Sequence, residues 1–271
     1  MVETLENLAG WRSEYRKWLH VKKGAGLDEV GPRYPWVNNS SAPFTPARRS
    51  ISMTNLALIS SAGAYIDGTD PLVVNLSGTG PVEIREIPVE VEAGDLLYAA
   101  GGYNPTAVTQ DRNTLIPIDL LQGYESNGVI GALNHVWWSF SGYTPDASRI
   151  VEALPKLVER VTRYEAQVAL IIPASRLCHQ SCGLIARALE AAHIPTMMLA
   201  VERAIPDRVR PPRTAFYEGE IGQTVGPANW PEKQRRVLDE ALRLIEPLDQ
   251  PTVWKLVVDL ESEVEHERGE R

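Results

Sequence analysis

The feature that most constrains the fold is a strand–helix–strand unit in the second half of the sequence. Residues 168–173 and 195–201 are short apolar runs with the length of buried strands. Between them, residues 183–192 have the apolar spacing of a helix. A right-handed crossover makes the two strands parallel and places the loop that holds Cys178 at the carboxyl edge of the sheet, where open α/β sheets bind ligands.

Other parts of the sequence extend this unit into a larger α/β domain. Short apolar runs predict further strands at residues 53–60, 82–88 (an edge strand) and 130–140. Amphipathic spacing predicts further helices at residues 117–128, 146–166 and 232–244. Pro155 predicts a kink in the second of these helices, or its break into two. We expect an α/β fold with a mostly parallel open sheet, helices on both faces, and flavodoxin-like or racemase-like βαβ units.

The composition divides the chain into three segments. Residues 1–49 form an irregular N-terminal extension: a helix over about the first 20 residues, then a wrap rich in Gly and Pro whose aromatic side chains we expect to dock on the core. Residues 50–250 form the α/β domain, and its division into two subdomains near residue 145 stays open. Residues 251–271 form a charged C-terminal tail. We interpret the pair Arg48 and Arg49 as solvated surface.

Charge and cysteine content exclude several classes of protein. The 271 residues carry 27 Lys+Arg against 35 Asp+Glu, a formal charge of −8, whereas a general nucleic-acid binder needs a basic surface. Two cysteines, only four positions apart, cannot staple a secreted disulfide scaffold. The N-terminus does not resemble a signal peptide, and every apolar run is far shorter than the ~18 residues that cross a bilayer. We expect a cytoplasmic protein with no nucleic-acid partner and no membrane partner.

The segment best suited to chemistry is Ser175-Arg176-Leu177-Cys178-His179-Gln180-Ser181-Cys182-Gly183. It leaves a buried strand and enters a helix, where free N–H groups and the helix dipole favour an anion. We expect a cysteine there to have a lowered pKa and Cys178 to lie partly exposed in a cleft. His179 and Arg176 would lower that pKa further if they point inward. In the alternative interpretation, Cys178 and Cys182 are small apolar residues packed under a helix.

Two other clusters are candidates for substrate binding. Asp111 and Asn113 lie in a polar loop that we expect near the same edge of the sheet, although residues of these types also cap helices and form turns. Trp138 lies in a strand end rich in aromatic residues, which could line an apolar pocket or pack in the core. We predict no metal site, because Cys178, His179 and Cys182 have no second Cys/His cluster to complete a four-ligand set.

Several segments together resemble the selenoprotein B family of glycine, sarcosine, betaine and D-proline reductases. The most specific are Cys178-His179-Gln180-Ser181, the helix that follows from Gly183 to Glu190, and Ile194-Pro195-Thr196. Supporting segments are Ile59-Ser60-Ser61-Ala62-Gly63, Arg85-Glu86-Ile87-Pro88, Asp111-Arg112-Asn113, Pro117-Ile118, Gly128-Val129-Ile130-Gly131, Ser139-Phe140-Ser141-Gly142 and Pro211-Pro212-Arg213. The resemblance covers residues 50–247, most of the chain.

The resemblance implies reductive cleavage of a C–N bond, or of a related C–X bond, by a selenol or thiol nucleophile. It also implies a pyruvoyl-bearing partner subunit that holds the substrate amine. Ser175 stands at the position that matches the family's selenocysteine, so the chain resembles a homologue without selenocysteine. A serine hydroxyl is a poor nucleophile towards sp³ carbon without an activating base. We therefore expect Cys178, with or without Cys182, to be the nucleophile.

The leading hypothesis is a thiol-dependent, reductase-like oxidoreductase that acts on a small amino acid or similar compound. Its catalytic residues are expected to be Cys178, His179, Ser175 and Cys182. Its substrate-binding residues are expected to be Arg176, Gln180, Ser181, Asp111, Asn113 and Trp138. No cofactor is firmly implied, and an external thiol or thioredoxin-like reductant would reset a mixed disulfide or a Cys178–Cys182 disulfide. We expect a homo-oligomer. The alternatives are a non-redox lyase or isomerase that uses the same loop, and a non-catalytic binding subunit of a larger reductase complex.

Overall fold

The structure, a computed structural model, describes residues 4–21, 30–31, 33–74 and 80–258. Its strands are β1 (Asn55–Ser60), β2 (Ala64–Ile66), β3 (Ile84–Pro88), β4 (Leu96–Tyr98), β5 (Ala132–Leu133), β6 (Val136–Phe140), β7 (Val168–Ile172), β8 (Thr196–Ala200), β9 (Arg213–Phe216) and β10 (Thr252–Lys255). Its α-helices are α1 (Leu8–Val21), α2 (Thr106–Gln110), α3 (Ile118–Ser126), α4 (Ala147–Arg163), α5 (Arg176–Ala191), α6 (Ala204–Val209) and α7 (Pro231–Arg243). Residues 22–29 and 32 of the predicted wrap, and residues 259–271 of the predicted tail, lie outside the described residues.

One large sheet organises the molecule. Its strand order is β10-β9-β8-β7-β1-β6-β3, with the short β5 also paired to β1. All of these pairings are parallel except that of β3 with β6, and β3 lies at one edge as predicted. The order β6-β1-β7-β8-β9 is the flavodoxin-like arrangement 2-1-3-4-5, in which the chain reverses direction across the sheet beside its first strand. The reversal places a crevice between the carboxyl ends of β1 and β7.

The two faces of the sheet are covered by different helices, because the inner strands are apolar on both sides. Every residue of β7 is buried. On one face, α3 and α7 bury side chains such as Leu121 and Leu238. On the other face, α4, α5 and α1 bury Leu157, Leu184 and Trp11 among others. The predicted α/β class, the mostly parallel sheet and the helices on both faces are therefore confirmed.

The N-terminal extension packs on the face that carries α4 and α5. The helix α1 contributes Trp11, Tyr15 and Trp18, whose rings stack along one side of the helix. After it, Tyr34 is buried and donates a hydrogen bond from its hydroxyl to the Pro145 carbonyl at 2.7 Å. The expected docking of aromatic side chains on the core is confirmed for the described part of the extension.

Some predicted boundaries were wrong. The helix α5 begins at Arg176 rather than at residue 183, so Cys178 lies in its first turn and not in a loop. The helix α4 runs without a break through Pro155. The single strand predicted at residues 130–140 is divided into β5 and β6. The sheet also includes β10, which lies inside the segment predicted as a charged tail.

The division of the chain into three segments otherwise stays a prediction. None of the described helices combines the length and the apolar character that a membrane span requires.

Candidate functional site

The candidate site lies at the crevice between the carboxyl ends of β1 and β7. Ser61, directly after β1, donates its N–H to the Ile172 carbonyl at 3.0 Å and accepts the Ala174 N–H on its hydroxyl at 2.9 Å. These bonds tie the two loops together. The sulfur of Cys178 lies above them, 4.0 Å from the Ser61 carbonyl oxygen. The sequence therefore predicted correctly that Cys178 lies at this edge.

Ser175 precedes α5 and contacts Cys178 in the first turn of that helix. It is the N-cap of the helix, and its Oγ accepts the Cys178 N–H at 3.2 Å. The same Oγ lies 3.0 Å from the Cys178 sulfur and donates to it. A hydroxyl donor at a helix N-terminus stabilises a thiolate over a thiol. Ser175 is thus the side chain best placed to tune the reactivity of Cys178.

The exposure and the acidity predicted for Cys178 were wrong. The side chain is only 1% exposed, so it does not lie in an open cleft. Burial raises the pKa of the Cys178 thiol above its ordinary value, because the loss of water outweighs the hydrogen bonds from Ser175 and Ser61. In this conformation the thiol is protonated at neutral pH.

The loops above the cysteine explain its burial. Gly142 lies so close that an added Cβ would be 2.9 Å from the Cys178 sulfur. Gly102 has φ +71, and an added Cβ there would contact the Tyr143 ring and lie 3.3 Å from the Ser175 Cβ. Tyr103 donates its hydroxyl to the Ala62 carbonyl at 2.6 Å. We call the segment 101–103 together with Tyr143 the roof of the site.

His179 is buried and neutral rather than a cationic neighbour of the thiol. Burial lowers its pKa to about 4. Its Nδ1 lies 2.7 Å from the Ser175 carbonyl oxygen, and its Nε2 accepts the Val201 N–H at 3.2 Å. These two partners assign the hydrogen to Nδ1. In this conformation the neutral ring supplies no positive charge to the thiol, and it joins α5 to the end of β8. The expected catalytic role of His179 stays a prediction.

Arg176 points away from the cysteine. Its guanidinium forms two hydrogen bonds with the Glu202 carboxylate, at 2.7 and 2.6 Å, on the exposed side of α5. Glu202 raises the pKa of Arg176. The condition that Arg176 points inward is therefore not met in this structure, and its expected contact with a substrate stays a prediction.

Gln180 and Ser181 hold neighbouring segments in place. The Gln180 amide donates to the Tyr34 hydroxyl at 2.9 Å and accepts the Val37 N–H at 2.8 Å, which anchors the N-terminal extension to α5. The Ser181 hydroxyl donates to the Gly142 carbonyl at 2.8 Å. Ser181 thereby fixes the strand end that covers the Cys178 sulfur. Their expected contact with a substrate stays a prediction.

Cys182 follows Cys178 by one helical turn and is also a free, fully buried thiol. Burial raises its pKa well above the ordinary value. On an intact helix, Cβ atoms four residues apart are separated by about 5–6 Å. A disulfide needs a separation of about 3.5–4.5 Å. A Cys178–Cys182 disulfide would therefore require the first turn of α5 to rearrange.

The structure does not bring Asp111 and Asn113 into contact with Cys178. The Asp111 carboxylate accepts the Asn113 N–H at 3.0 Å, the Gln234 amide at 2.7 Å and the Asn229 N–H at 2.9 Å. These contacts cap a short 3₁₀ turn and attach it to α7. The capping alternative accounts for Asp111, and the expected role of both side chains in substrate binding stays a prediction.

Trp138 lies in the core on the face that carries α4 and α5. It is fully buried, and its ring packs edge-on against Tyr164 with a centroid distance of 5.6 Å. Core packing therefore accounts for this residue. Within the described parts of the chain, no group of three or more His, Cys, Asp or Glu side chains is arranged to hold a metal ion.

The sequence alone missed the contribution of the roof and of Ser61. Ser61 and Gly142 do occur in segments that carry the family resemblance, but nothing in their spacing showed that they meet at the cysteine. Gly101 and Gly102 indicated only a turn. Their contacts depend on how three strand ends come together.

Comparison with known proteins identifies the family. The glycine/sarcosine/betaine reductase selenoprotein B family matches residues 28–172, more than half of the chain. This chain belongs to that family. The match ends before Ser175, so the roles of the residues in α5 rest on geometry and on the sequence resemblance.

Two similar proteins, both reductase subunits, extend the comparison beyond the family match. The D-proline reductase subunit gamma of Acetoanaerobium sticklandii is 28% identical over 218 residues, which cover 79% of this chain and 86% of that protein. The glycine reductase complex component B subunit gamma of Symbiobacterium thermophilum is 23% identical over 229 residues, 82% of this chain and 53% of that protein. The chain thus spans about half the length of the latter relative. These relatives are subunits of reductase complexes. No solved structure matches this chain.

Proposed function

We propose that this chain is the thiol-bearing subunit of an amino-acid reductase complex, in which Cys178 attacks carbon and cleaves a C–N bond or a related C–X bond. The names of the relatives support the reaction class and the assembly into a complex. The observation that supports Cys178 as nucleophile is its contact with Ser175. Its sulfur lies 3.0 Å from the side-chain oxygen at the position that the resemblance assigns to selenocysteine. Because the two side chains lie side by side, we propose that the thiol takes the place of a selenol at position 175 towards the substrate carbon.

The proposed reaction uses two thiols. The Cys178 thiolate attacks the carbon that bears nitrogen, the C–N electron pair leaves with nitrogen, and nitrogen takes up a proton. A second thiol then attacks the sulfur of this adduct, so that an S–S bond forms while the S–C electron pair stays on carbon and takes up a proton. Overall, one C–N bond is replaced by a C–H and an N–H bond, and two thiols become a disulfide.

An external thiol or a thioredoxin-like protein is the proposed second thiol and the source of both electrons. Cys182 takes that role only if the first turn of α5 rearranges, because the two Cβ atoms are too far apart on an intact helix. Ser175 is the proposed hydrogen-bond donor to the thiolate. His179, Gln180 and Ser181 position α5 and the strand end above it.

The reaction requires the roof to move. A thiol that is 1% exposed cannot contact a substrate, and its raised pKa leaves little thiolate. We propose that a pyruvoyl-bearing partner subunit, which presents the substrate, displaces the segment 101–103. Displacement admits water and a polar substrate, which removes the desolvation that raises the pKa. The helix N-terminus and Ser175 then favour the thiolate.

The test uses the chain purified from its own host under native conditions, with the subunits that remain bound to it. Glycine, sarcosine, betaine and D-proline are offered with dithiothreitol, and the deaminated or ring-opened product is measured by mass spectrometry. We expect product with at least one of them, loss of product in C178A, and retention in C182A. Product formation by C178A would overturn the proposed nucleophile, and product formation without dithiothreitol would overturn a reductase mechanism.

The burial of Cys178 favours a second candidate function, a binding subunit without catalytic thiol chemistry. In that case, C178A and the wild-type complex would form product at the same rate. The C178A measurement therefore decides between the two candidates.

A further inference from the structure

A second site candidate lies at the opposite edge of the sheet from Cys178. Thr54, Gln167 and Pro195 directly precede β1, β7 and β8, and these parallel strands begin at the same edge. They line a cavity of about 560 Å³, within the ~300–1,000 Å³ range of small-molecule sites. The remaining lining residues come from segment 45–51, from Ala166 and Val168 on either side of Gln167, and from the turns that follow α5 and α7.

The lining of this cavity is basic although the chain is acidic. It contains Arg48, Arg49 and His193 and no acidic residue, whereas the whole chain carries a formal charge of −8. Two acidic side chains lie close by but are engaged elsewhere. Glu190 contacts Thr45 and the buried Arg213, and Glu246 accepts the Ile51 N–H at 2.7 Å.

The basic side chains are available to a ligand. Among the described residues, none of the side chains of Arg48, Arg49 and His193 has a hydrogen-bond or ion-pair partner. His193 is held in place by its backbone, which has φ 66 and donates its N–H to the Glu190 carbonyl at 3.0 Å. Apolar side chains, including Ile51, Val168 and Ile245, form much of the remaining wall.

We propose that this amino-edge cavity binds a small organic anion: a carboxylate- or phosphate-bearing compound whose apolar part contacts the aliphatic wall. Two guanidinium groups match the geometry of a carboxylate or a phosphate, and an imidazole adds a hydrogen-bond donor in either tautomer. The site is separate from the proposed reaction centre, because the two lie at opposite ends of the same strands. The interpretation of Arg48 and Arg49 as solvated surface is therefore incomplete, since both side chains also line a cavity.

The test is calorimetric titration of the full chain with two probes, pyrophosphate for the phosphate source and succinate for the carboxylate source. The titration is carried out at about 0.1 M salt, which screens distant surface charges. We expect saturable binding of at least one probe, with a Kd of about 1 mM or lower. Binding of only one probe identifies the source of the anion, and binding of both shows a site that accepts either.

Variants show whether the binding belongs to the cavity. We expect R48Q/R49Q to weaken binding about tenfold or more, because it removes both guanidinium groups. The matched control R16Q/R208Q removes the same charge from two exposed arginines outside the cavity and should bind as the wild type does. H193N keeps a residue that tolerates positive φ and should also weaken binding.

Two results would overturn the proposal. One is the lack of saturable binding of both probes up to about 10 mM, ten times the expected Kd. The other is an equal loss of binding in R48Q/R49Q and in R16Q/R208Q, which would show an effect of net charge alone. Circular dichroism of each variant confirms that it is folded.

Discussion

At the scale of single residues, Ser175 has two functions in one side chain. Its hydroxyl caps α5 by accepting the Cys178 N–H and also donates to the Cys178 sulfur. The sequence indicated the chemistry of this segment but placed it in a loop, because the stretch from Cys178 to Cys182 is too polar to show a helical apolar pattern. Its burial under the roof is a tertiary effect that local spacing does not contain.

Replacing Ser175 separates its two functions. S175A should destabilise the protein by about 1 kcal/mol, the usual cost of losing an N-cap. D146A, which removes the corresponding cap of α4, should cost a similar amount. Only S175A should also slow alkylation of Cys178, because it removes a donor that favours the thiolate. Equal alkylation rates in the two variants, measured by mass spectrometry, would show that Ser175 does not tune the thiol.

Gly142 tests the close packing above the sulfur. G142A places a Cβ 2.9 Å from the Cys178 sulfur and 2.7 Å from the Ser61 Cβ, so we expect a loss of about 1–3 kcal/mol in the free energy of unfolding. G123A is the matched control, because Gly123 lies inside α3 with open space around it. It should stabilise the protein by up to about 1 kcal/mol. A stable G142A in urea denaturation would contradict the packing described here.

At the scale of elements, the strands that sequence predicted best are those buried on both faces. The segments of β1, β7 and β8 are continuous apolar runs. By contrast, β9 begins with Arg213 after two prolines, so its pattern did not predict a buried strand. Arg213 is buried there because Glu190 from α5 pairs with it at 2.5 Å. Because the counterion comes from a distant element, the sequence around Arg213 does not indicate that this charged residue is buried.

The pair Glu190–Arg213 gives a prediction for the contacts between α5 and β9. E190Q leaves the fully buried guanidinium of Arg213 without its counterion, so we expect a loss of about 3–5 kcal/mol in stability. The double variant E190Q/R213M should lose less free energy of unfolding than the sum of the losses in E190Q alone and in R213M alone. The exposed pair Glu240–Arg243 is the control, and E240Q should change stability by less than ~1 kcal/mol. Additive costs in urea denaturation would show that Glu190 and Arg213 do not stabilise each other.

At the scale of the whole molecule, the strand order determines where chemistry can occur. The flavodoxin-like reversal beside β1 puts the ends of β1 and β7 next to each other, and the one cysteine at that crevice is Cys178 among the described residues. The sequence predicted this edge from a single βαβ unit. It could not predict that the edge is closed, because the roof comes from Tyr143 and from segment 101–103, which lie 35 or more residues before Cys178 along the chain.

The burial of His179 predicts how the stability of the whole molecule depends on pH. Its pKa is about 4 in the folded protein, below the ordinary histidine value of about 6.5. Only the unfolded chain binds a proton between these values, so stability is complete above pH 6.5 and is lost as pH falls towards 4. Protonation of this histidine in the unfolded chain can lower the free energy of unfolding by up to about 3 kcal/mol.

Urea denaturation between pH 7 and pH 5 tests this dependence. The wild type should lose more stability over that range than H179N, which lacks the titrating ring. H20N, at an exposed position on α1, should behave as the wild type does. An identical pH dependence in the wild type and H179N would contradict a buried, neutral His179.

The most direct test of the central claim is the rate at which iodoacetamide alkylates Cys178, measured by mass spectrometry in two states. The first is the chain alone, and the second is the natively purified complex supplied with the substrate that it turns over. We predict slow alkylation in the chain alone, with a pH midpoint above the ~8.5 of a free thiol. We predict much faster alkylation during turnover, accompanied by loss of activity. A Cys178 that stays unmodified while the complex remains active, or whose alkylation leaves activity unchanged, would contradict the claim that this thiol is the nucleophile.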